Sequence, residues 1–358
     1  MRGRPNPDHW RNRLVLVTGH TGFKGSWLTH VLKTLGANVH GLALAPPTRP
    51  AMFAVSQASE LLDSDTRLDV RDFESVRSVI LELKPQTIFH LAAQPLVRRS
   101  SAQPLETITT NIDGTASILD AAAMADLECA VVVVTTDKVY RPELSARPHS
   151  EADSLGGRDV YSASKACAEL LTAAFRDSIL RQTGVTAVTA RSGNVIGGGD
   201  WSTDRLMPDL FRAVTSGAPL VLRHPEATRP WQHVLDPIRG YILLAEASSA
   251  LQARGPWAFN FGPAPGQVAT VNDLLGRVAE LGIDMPRIVV DQNPDVPETM
   301  QLALESSLAA EILDWLPWWG LDQAIAATCD WHFAWQAGKD MVSFTREQIH
   351  NYEDAGPP

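Results

Sequence analysis

The chain has 358 residues, of which 44% are hydrophobic and 20% are charged, and its formal net charge is −10. This length and composition predict a globular protein with a large core and two or three domains. The negative charge argues against a general nucleic-acid binder or a membrane-surface binder, although an anionic substrate needs only a local basic pocket.

Targeting and metal signals are missing from the sequence. No apolar run approaches the roughly 18 residues of a membrane helix, and the polar first residues lack a signal core. The three cysteines, Cys129, Cys167 and Cys329, are too far apart for a zinc or redox motif. We therefore expect a cytoplasmic protein without a metal site.

A glycine-rich turn follows the first apolar segment. Residues 14–17 are typical of a buried strand, glycines follow at Gly19, Gly22 and Gly25, and helical spacing begins at Lys24. This order is a dinucleotide-binding fingerprint, because glycines let the backbone approach a diphosphate and the helix N-terminus supplies amide donors. The spacing is G-x-x-G-x-x-G, and a tight turn without a ligand is the alternative interpretation.

The acidic residue that normally holds the cofactor ribose is missing. It is expected about 20 residues after the glycine turn, where this chain has Ala45 with Arg49 nearby. Arg49 either meets a ribose phosphate or is a solvated loop residue, and we favour the second because arginine is usually exposed. These residues leave NAD and NADP open, and we predict NAD.

Apolar segments alternate with helical patterns up to about residue 190. This alternation predicts an α/β protein with a Rossmann-type doubly wound parallel sheet. Shorter elements beyond it predict a smaller C-terminal substrate-binding domain, so we divide the chain at 1–190 and 191–358, with some elements interleaved. Predicted strands cover 38–44, 87–93, 129–136 and 186–189, with another ending within 67–72, and predicted helices cover 73–83, 105–127, 159–183 and 310–336. We assign the tryptophans of that last helix to packing.

A tyrosine and a lysine stand one helical turn apart. Tyr161 and Lys165 share a helix face, and the lysine charge favours the phenolate, so Tyr161 can act as a base. The strand over 129–136 ends at Thr136 and runs into Asp137 and Lys138, where strand ends face the ligand crevice. We predict a reacting centre in which Thr136 holds a substrate hydroxyl, Asp137 is an acid and Lys138 is a base. Taken alone, Tyr161 and Lys165 are also typical of an ordinary helical pair, and Asp137 and Lys138 of a capping or turn aspartate beside a solvated lysine.

Several motifs occur together and in order. They lie at 19–27, 92–98, 136–138, 161–165, 193–201, 204–206 and 229–234. This set resembles the CDP-glucose 4,6-dehydratases, a family of the extended short-chain dehydrogenase/reductase superfamily, over roughly residues 13 to 350. Thymidine- and GDP-sugar dehydratases carry glutamate where this chain has Lys138.

The resemblance implies a reaction. Tyr161 would take the proton of the sugar 4-hydroxyl while a hydride passes from carbon 4 to NAD. Loss of the carbon 5 proton and the 6-hydroxyl would then eliminate water, with Asp137 as the acid and Lys138 at the position of the base, before the hydride returns to carbon 6. The implied enzyme is a hydro-lyase of deoxysugar biosynthesis that converts CDP-D-glucose to CDP-4-dehydro-6-deoxy-D-glucose.

The resemblance also implies binding residues. Those implied for NAD are Gly19, Thr21, Gly22, Phe23, Lys24, Gly25, Asp69, Val70, Leu91, Ala92, Ala93, Gln94, Asn111, Thr135, Tyr161 and Lys165. Those implied for the nucleotide sugar are Gln94, Arg98, Thr136, Asn194, Arg205, Leu206, Arg229 and His233. Arginine suits a diphosphate because its planar fork donates two parallel hydrogen bonds.

Assembly and substrate identity are less constrained. The helices over 105–126 and 160–182 are implied to form a four-helix bundle with a second subunit, as a homodimer or homotetramer. Departures from the family pattern at 141–149 and 297–301 leave the nucleotide base and the sugar open. One alternative is another nucleotide-sugar epimerase or dehydratase. The other is a dinucleotide-binding regulator without turnover, but such a protein would not need Tyr161 and Lys165.

Overall fold

A parallel sheet lies at the centre of the protein. The computed structural model describes residues 3–125, 127–142, 147–252, 255–291 and 302–357, so the predicted departure at 297–301 lies outside the described residues, as does part of that at 141–149. The strands are β1 (Leu14–Thr18), β2 (Asn38–Ala43), β3 (Ser64–Arg67), β4 (Thr87–His90), β5 (Cys129–Val134), β6 (Val185–Ser192), β7 (Val195–Ile196), β8 (Leu220–Leu222), β9 (Thr228–Arg229), β10 (Gln232–His233), β11 (Ala258–Phe261), β12 (Ala269–Thr270) and β13 (Ile288–Val290).

Helices cover both faces of this sheet and build the rest of the molecule. They are α1 (Pro7–Trp10), α2 (Phe23–Thr34), α3 (Met52–Val55), α4 (Phe73–Leu83), α5 (Val97–Ala102), α6 (Pro104–Ile108), α7 (Gly114–Met124), α8 (Val160–Ser178), α9 (Leu206–Ser216), α10 (Leu235–Leu251), α11 (Val271–Glu280), α12 (Ser307–Leu313), α13 (Leu321–Gln336) and α14 (Met341–Ala355). No helix among these described residues is long and apolar enough to span a membrane.

The sheet has the strand order β11-β6-β5-β4-β1-β2-β3, and every pairing in it is parallel. The order reverses between β1 and β4, which opens a crevice at their carboxyl ends, where such sheets bind ligands. The predicted doubly wound α/β fold is confirmed. Its last strand, β11, comes from beyond residue 190, so the second half of the chain completes the sheet.

Strand β5 shows why this segment forms a central strand. It is a run of valines, buried along its whole length, and β-branched side chains favour extended backbone. Val132 and Val134 pack into one core with α2 and α10. Val131 and Val133 point to the opposite face and pack with α4 and α7. The sheet is therefore buried on both sides, as a parallel sheet requires.

A second, smaller core lies beside the sheet. It is formed by apolar residues of α9, α11 and the first half of α13, with strand β8. This core follows the predicted change to short elements, and its helix α9 begins next to the carboxyl end of the sheet. The second unit thus contributes one wall to the crevice.

The predicted helix over 310–336 is wrong in one respect. The segment contains α12 and α13, separated by a turn in which Asp314 has a φ of 51°. The turn is held by tertiary bonds, because the Trp315 indole donates to the Asp236 carbonyl and the Trp318 amide donates to its carboxylate. The tryptophans do pack into the core, as predicted.

The predicted helix over 105–127 consists of α6 and α7, which are joined by a π-helical turn at 109–113.

Arg239 of α10 joins the two ends of the described chain. Its guanidinium donates to the Gly3 carbonyl at 2.6 Å and to the Tyr352 hydroxyl at 3.0 Å. It also donates to the carbonyl of Leu316 and stacks 4.0 Å from the centre of the Trp318 ring. The N-terminal segment, the turn before α13 and helix α14 are thus fixed to one buried side chain.

Candidate active site

The glycine turn holds α2 close against the carboxyl end of β1. Gly19 has a φ of 75°, a conformation that glycine adopts without strain. A Cβ at Gly25 would lie 2.2 Å from the Gly19 carbonyl oxygen, and one at Gly19 would lie 2.7 Å from the Ala92 nitrogen. Gly22 gives α2 no side-chain cap, so its first amides stay available to a ligand. The turn therefore fits a dinucleotide diphosphate.

Two neighbours brace this turn. Thr21 donates from its hydroxyl to the Leu44 carbonyl at 3.0 Å, which ties the turn to the end of β2. His20 is fully buried over Gly41 and pairs with Asp65 at 2.9 Å. The loop that follows β2 is accessible to solvent, because Ala45 and Arg49 are exposed.

The loop after β4 forms the other wall of the crevice. Asn111 accepts from the Gln94 amide at 2.8 Å and donates to its carbonyl at 3.2 Å. It also donates to the Ser164 hydroxyl of α8 at 2.8 Å. Asn111 therefore fixes this loop to α8, while Leu91, Ala92 and Ala93 border the glycine turn and are half-buried.

The predicted reacting residues come together at the ends of β5 and α8. Thr136 donates to the Asp137 carboxylate at 3.0 Å, and its hydroxyl lies close enough to Tyr161 to lower the pKa of that phenol. The Lys138 ammonium lies 4.0 Å from Asp137. Lys165, one turn along α8 from Tyr161, donates to the Val134 carbonyl at 2.9 Å. Asp159 starts α8 with a side-chain cap, which fixes the first turn that carries Tyr161.

Burial sets the acid–base behaviour of this centre. It raises the pKa of the Tyr161 phenol to about 12, against the smaller opposing effects of Thr136 and Arg205. It lowers the pKa of the Lys165 ammonium to about 8, against the charge of Glu169. A phenol in this state needs added positive charge to act as a base near neutral pH, and Lys165 is placed to supply it.

Lys24 points towards the reacting residues. Its ammonium donates to the Ser192 hydroxyl at 2.8 Å and to the Tyr241 hydroxyl at 3.3 Å. Burial, then the charge of Arg205, lowers its pKa to about 7. Sequence reasoning missed Ser192 and Tyr241, and no local pattern marks them.

A cluster of arginines lines the side of the crevice near α9. Arg98 and Arg223 both pair with Asp204, at 3.1 and 3.3 Å. Arg205 precedes Leu206 at the start of α9, and its charge acts on both Tyr161 and Lys24. A cavity of about 300 Å³ opens beside them, lined by Arg98, Asp204, Arg212, Leu220, Arg223 and Asp291.

Two other predicted substrate residues lie at short strands. Arg229 is part of β9, where its guanidinium donates to the Thr228 carbonyl at 2.9 Å. The carbonyl of Asn194 accepts from the Gln232 amide at 3.1 Å, and its side chain is half-buried. Both residues follow β6 in the chain, so the second half of the protein carries them.

Several predicted binding side chains are engaged elsewhere. His233 is fully buried, packed between Trp27 and Trp319, and its role as a substrate contact stays a prediction. The Gln94 side chain turns back to Leu96 and Thr107 and does not face the crevice. The Gln94 amide satisfies partners that sequence alone does not show, whereas the His233 ring is held by packing between two tryptophans.

Three further predicted cofactor residues also have protein partners. Asn111 has 1% of its surface exposed and bridges the two elements described above. Val70 is buried against Gly114. Asp69 is held by both ends of the Arg71 guanidinium, at 3.0 and 2.5 Å. Their roles in cofactor binding stay predictions.

Comparisons with known proteins agree with this geometry. A model described as the NAD dependent epimerase/dehydratase family matches residues 15–262. A protein of Salmonella typhimurium (strain LT2) named CDP-glucose 4,6-dehydratase is 41% identical over 353 residues, which cover 97% of this chain and 98% of that protein.

Solved structures share the fold. MoeE5 in complex with UDP-glucuronic acid and NAD is 26% identical, with a TM-score of 0.75 over 88% of this chain and 98% of that one. A dTDP-glucose 4,6-dehydratase of Bacillus anthracis in complex with NAD is 20% identical, with a TM-score of 0.75 over 93% and 99%. The prediction of NAD as the cofactor is confirmed by the family description. With its glycine turn and its parallel sheet, the chain belongs to the NAD dependent epimerase/dehydratase family.

Proposed function

We propose that this protein is a sugar-nucleotide 4,6-dehydratase that converts CDP-D-glucose to CDP-4-dehydro-6-deoxy-D-glucose and water. The observation that carries the proposal is the position of Asp137 and Lys138 beside Tyr161 and Lys165. A simple redox epimerase needs only the tyrosine and lysine, whereas an elimination needs a further acid and base. The identity to the Salmonella typhimurium protein supports the same reaction.

The chain's own residues divide the work as follows. Bound NAD would take a hydride from the sugar and return it later in the same turnover. Tyr161 removes the proton of the 4-hydroxyl, and the buried Lys165 ammonium stabilises the phenolate that this requires. Thr136, whose hydroxyl acts on the Tyr161 phenol, orients the same sugar hydroxyl. Gly19, Gly22 and Gly25 keep the backbone open for the cofactor diphosphate.

Asp137 has the surroundings that a proton donor to a leaving hydroxyl needs. Its side chain is 1% exposed, and within the described part of the chain its Oδ2 atom is buried without a hydrogen-bond partner. A Cβ at Gly193 would lie 3.1 Å from that oxygen, so glycine keeps a side chain from crowding it. A sugar hydroxyl placed there completes the unmet hydrogen bond, and Lys138 lies on the other side to take the carbon 5 proton.

The arginines of the crevice suit the diphosphate of the substrate. Arg205 directly precedes α9 and Arg229 belongs to β9, and each offers a planar fork that matches phosphate oxygens. Arg98 and Arg223 are held ready by Asp204. Asn194 follows β6 and offers a neutral donor to the same group.

We also propose assembly and location. Helices α6 and α8 carry exposed leucines, Leu105 at 74% and Leu170 at 59%, which suit pairing with a second subunit as a homodimer. All three cysteines are free thiols, as is typical of a reducing cytoplasm.

Mass spectrometry of the product tests the reaction directly. Purified protein with NAD and CDP-glucose is expected to give a product lighter by one water, without net consumption of NAD. UDP-, dTDP- and GDP-glucose serve as competitors for the nucleotide. Faster conversion of one of these would overturn the choice of CDP, and recovery of unchanged or merely epimerised sugar nucleotides would overturn the dehydratase itself.

A further inference from the structure

A buried carboxylate lies directly behind the reacting residues. Glu169 of α8 is 4% exposed and accepts four side-chain hydrogen bonds. Arg191 donates to both of its oxygens, at 2.9 and 2.8 Å. Thr189 donates at 2.6 Å, and Thr135 completes the set. Each oxygen therefore has two donors, so this carboxylate has one fixed orientation.

These bonds join the elements that carry the reacting groups. Thr135 directly precedes Thr136, and Lys165 lies one helical turn before Glu169 on α8. Thr189 and Arg191 belong to β6. Glu169 thus fixes α8 against the carboxyl ends of β5 and β6, which is where Tyr161 must meet the Thr136–Asp137 turn.

The network continues away from the crevice. Arg191 donates to the Tyr140 hydroxyl at 2.9 Å, and Tyr140 donates to Asn260 of β11 at 2.6 Å. Asn260 in turn donates to the carbonyls of His149 and Glu305, at 2.9 and 3.0 Å. The carboxylate is therefore anchored through β6, β11 and the segments around Tyr140 and His149.

Stability alone does not require a charge at this position. A buried ion pair costs desolvation, and well-packed apolar residues of similar volume often replace such pairs without loss. Glu169 is also the charge that opposes the desolvation of Lys165. Lys165 also faces the Tyr161 phenol on its own helix, Lys24 from α2 and His90 from β4. A neutral phenol, a cation and a buried imidazole do not stabilise an ammonium, so among the described residues the carboxylate that acts on Lys165 is Glu169, which is also paired with Arg191.

We propose that Glu169, clamped by Arg191, is a positioning residue that holds Thr136 and the charged Lys165 in register with Tyr161. This inference rests on the proposed function, because it takes those three residues as reacting groups. Glu169 itself does not touch the substrate.

A matched pair of isosteric variants tests the positioning. Thr135→Val and Thr189→Val each remove one hydroxyl donor from the same carboxylate, but only Thr135 adjoins a reacting residue. We expect kcat to fall about tenfold in Thr135→Val with KM unchanged, and less than twofold in Thr189→Val. Equal kcat values for the two variants would show that the network is only structural.

The charge is tested by Glu169→Gln in the holoenzyme. Loss of the carboxylate lowers the pKa of Lys165, so the alkaline limb of the kcat profile is expected to move down by about one pH unit. Titration of the Lys165 ammonium by NMR, in protein with ¹⁵N-labelled lysine, gives the same comparison without turnover. An unshifted Lys165 titration overturns the proposal, whether or not CDP-glucose is the substrate. Should Glu169→Gln fail to fold, the threonine pair decides alone.

Discussion

At the scale of single residues, the reacting centre combines groups that sequence shows with groups that it does not. Tyr161 and Lys165 are recognisable because one helical turn separates them, and Thr136 to Lys138 because they end a buried strand. The structure brings these five together. Lys24 meets Ser192 and Tyr241 across separations of 168 and 217 residues, and no local pattern encodes such distant pairs.

The pH profile of the wild-type enzyme follows from Lys165. Its pKa is lowered to about 8, so the ammonium is present below that pH and lost above it. We expect kcat to fall on the alkaline side as Lys165 becomes neutral and stops stabilising the Tyr161 phenolate. Steady-state kinetics with saturating CDP-glucose between pH 6 and 10 measure this limb. Its midpoint is expected within about one pH unit of 8. A rate that keeps rising through this range contradicts the assignment.

Asp137 separates elimination from oxidation. In Asp137→Asn the geometry is kept but the proton donor is lost, so dehydration is expected to slow by about 10²–10⁴-fold. Oxidation at carbon 4 persists, because Tyr161 and Lys165 are intact, and it is seen as reduced cofactor that accumulates on the enzyme. Asp72→Asn is the control, since Asp72 only caps α4. Equal loss of both half-reactions argues against an acid role for Asp137.

At the scale of elements, the strand–turn–helix unit was predictable and the interrupted helices were not. Gly19, Gly22 and Gly25 fall where the turn needs them, so the pattern alone locates β1 and α2. The break between α12 and α13 depends on Asp236, a residue distant in sequence that binds Trp315 and Trp318. Propensity over a short window does not register such tertiary bonds.

The close approach of α2 to β1 makes a sharp prediction for one glycine. Gly25→Ala places a Cβ 2.2 Å from the Gly19 carbonyl, so the turn must open and NAD affinity is expected to fall at least about tenfold. Gly276→Ala is the matched control, because that helical glycine has nothing within 4 Å and alanine there adds up to about 1 kcal/mol of stability. Fluorescence titration with NAD measures the first effect and thermal unfolding the second. Unchanged affinity in Gly25→Ala shows that the turn adjusts.

At the scale of the whole molecule, the layered architecture follows from sequence because buried parallel strands read as apolar runs. The division at residue 190, made with some elements interleaved, stays a prediction, and β11 is one element from the second half that returns to the sheet beside β6. Assembly depends on surface residues, whose partners a single chain does not reveal. The exposed leucines of α6 and α8 are the structural basis for the proposed dimer.

A charge on those leucines is expected to separate the subunits. Leu105→Glu with Leu170→Glu places two carboxylates on the proposed interface, where burial without partners is costly. Light scattering should show the monomer mass for this double variant and the dimer mass for wild type. Leu281→Glu changes another leucine, 49% exposed on a different surface, and should leave the mass unchanged. A wild-type monomer, or a double variant that remains dimeric, rejects this interface.

The meeting of both chain ends at Arg239 has a consequence for how the polypeptide can be rearranged. A Cβ at Gly356 would lie 3.1 Å from the Arg4 guanidinium, so a short linker can join the ends without crossing the crevice. Circular permutation is tolerated where termini are close and the new opening lies in an exposed turn. Gly217 offers such an opening, with a φ of 68° and nothing within 4 Å of its Cβ position. A permuted chain opened there keeps β1, α2 and α8 on one continuous segment. The segments that Arg239 now joins by hydrogen bonds would then also be joined covalently.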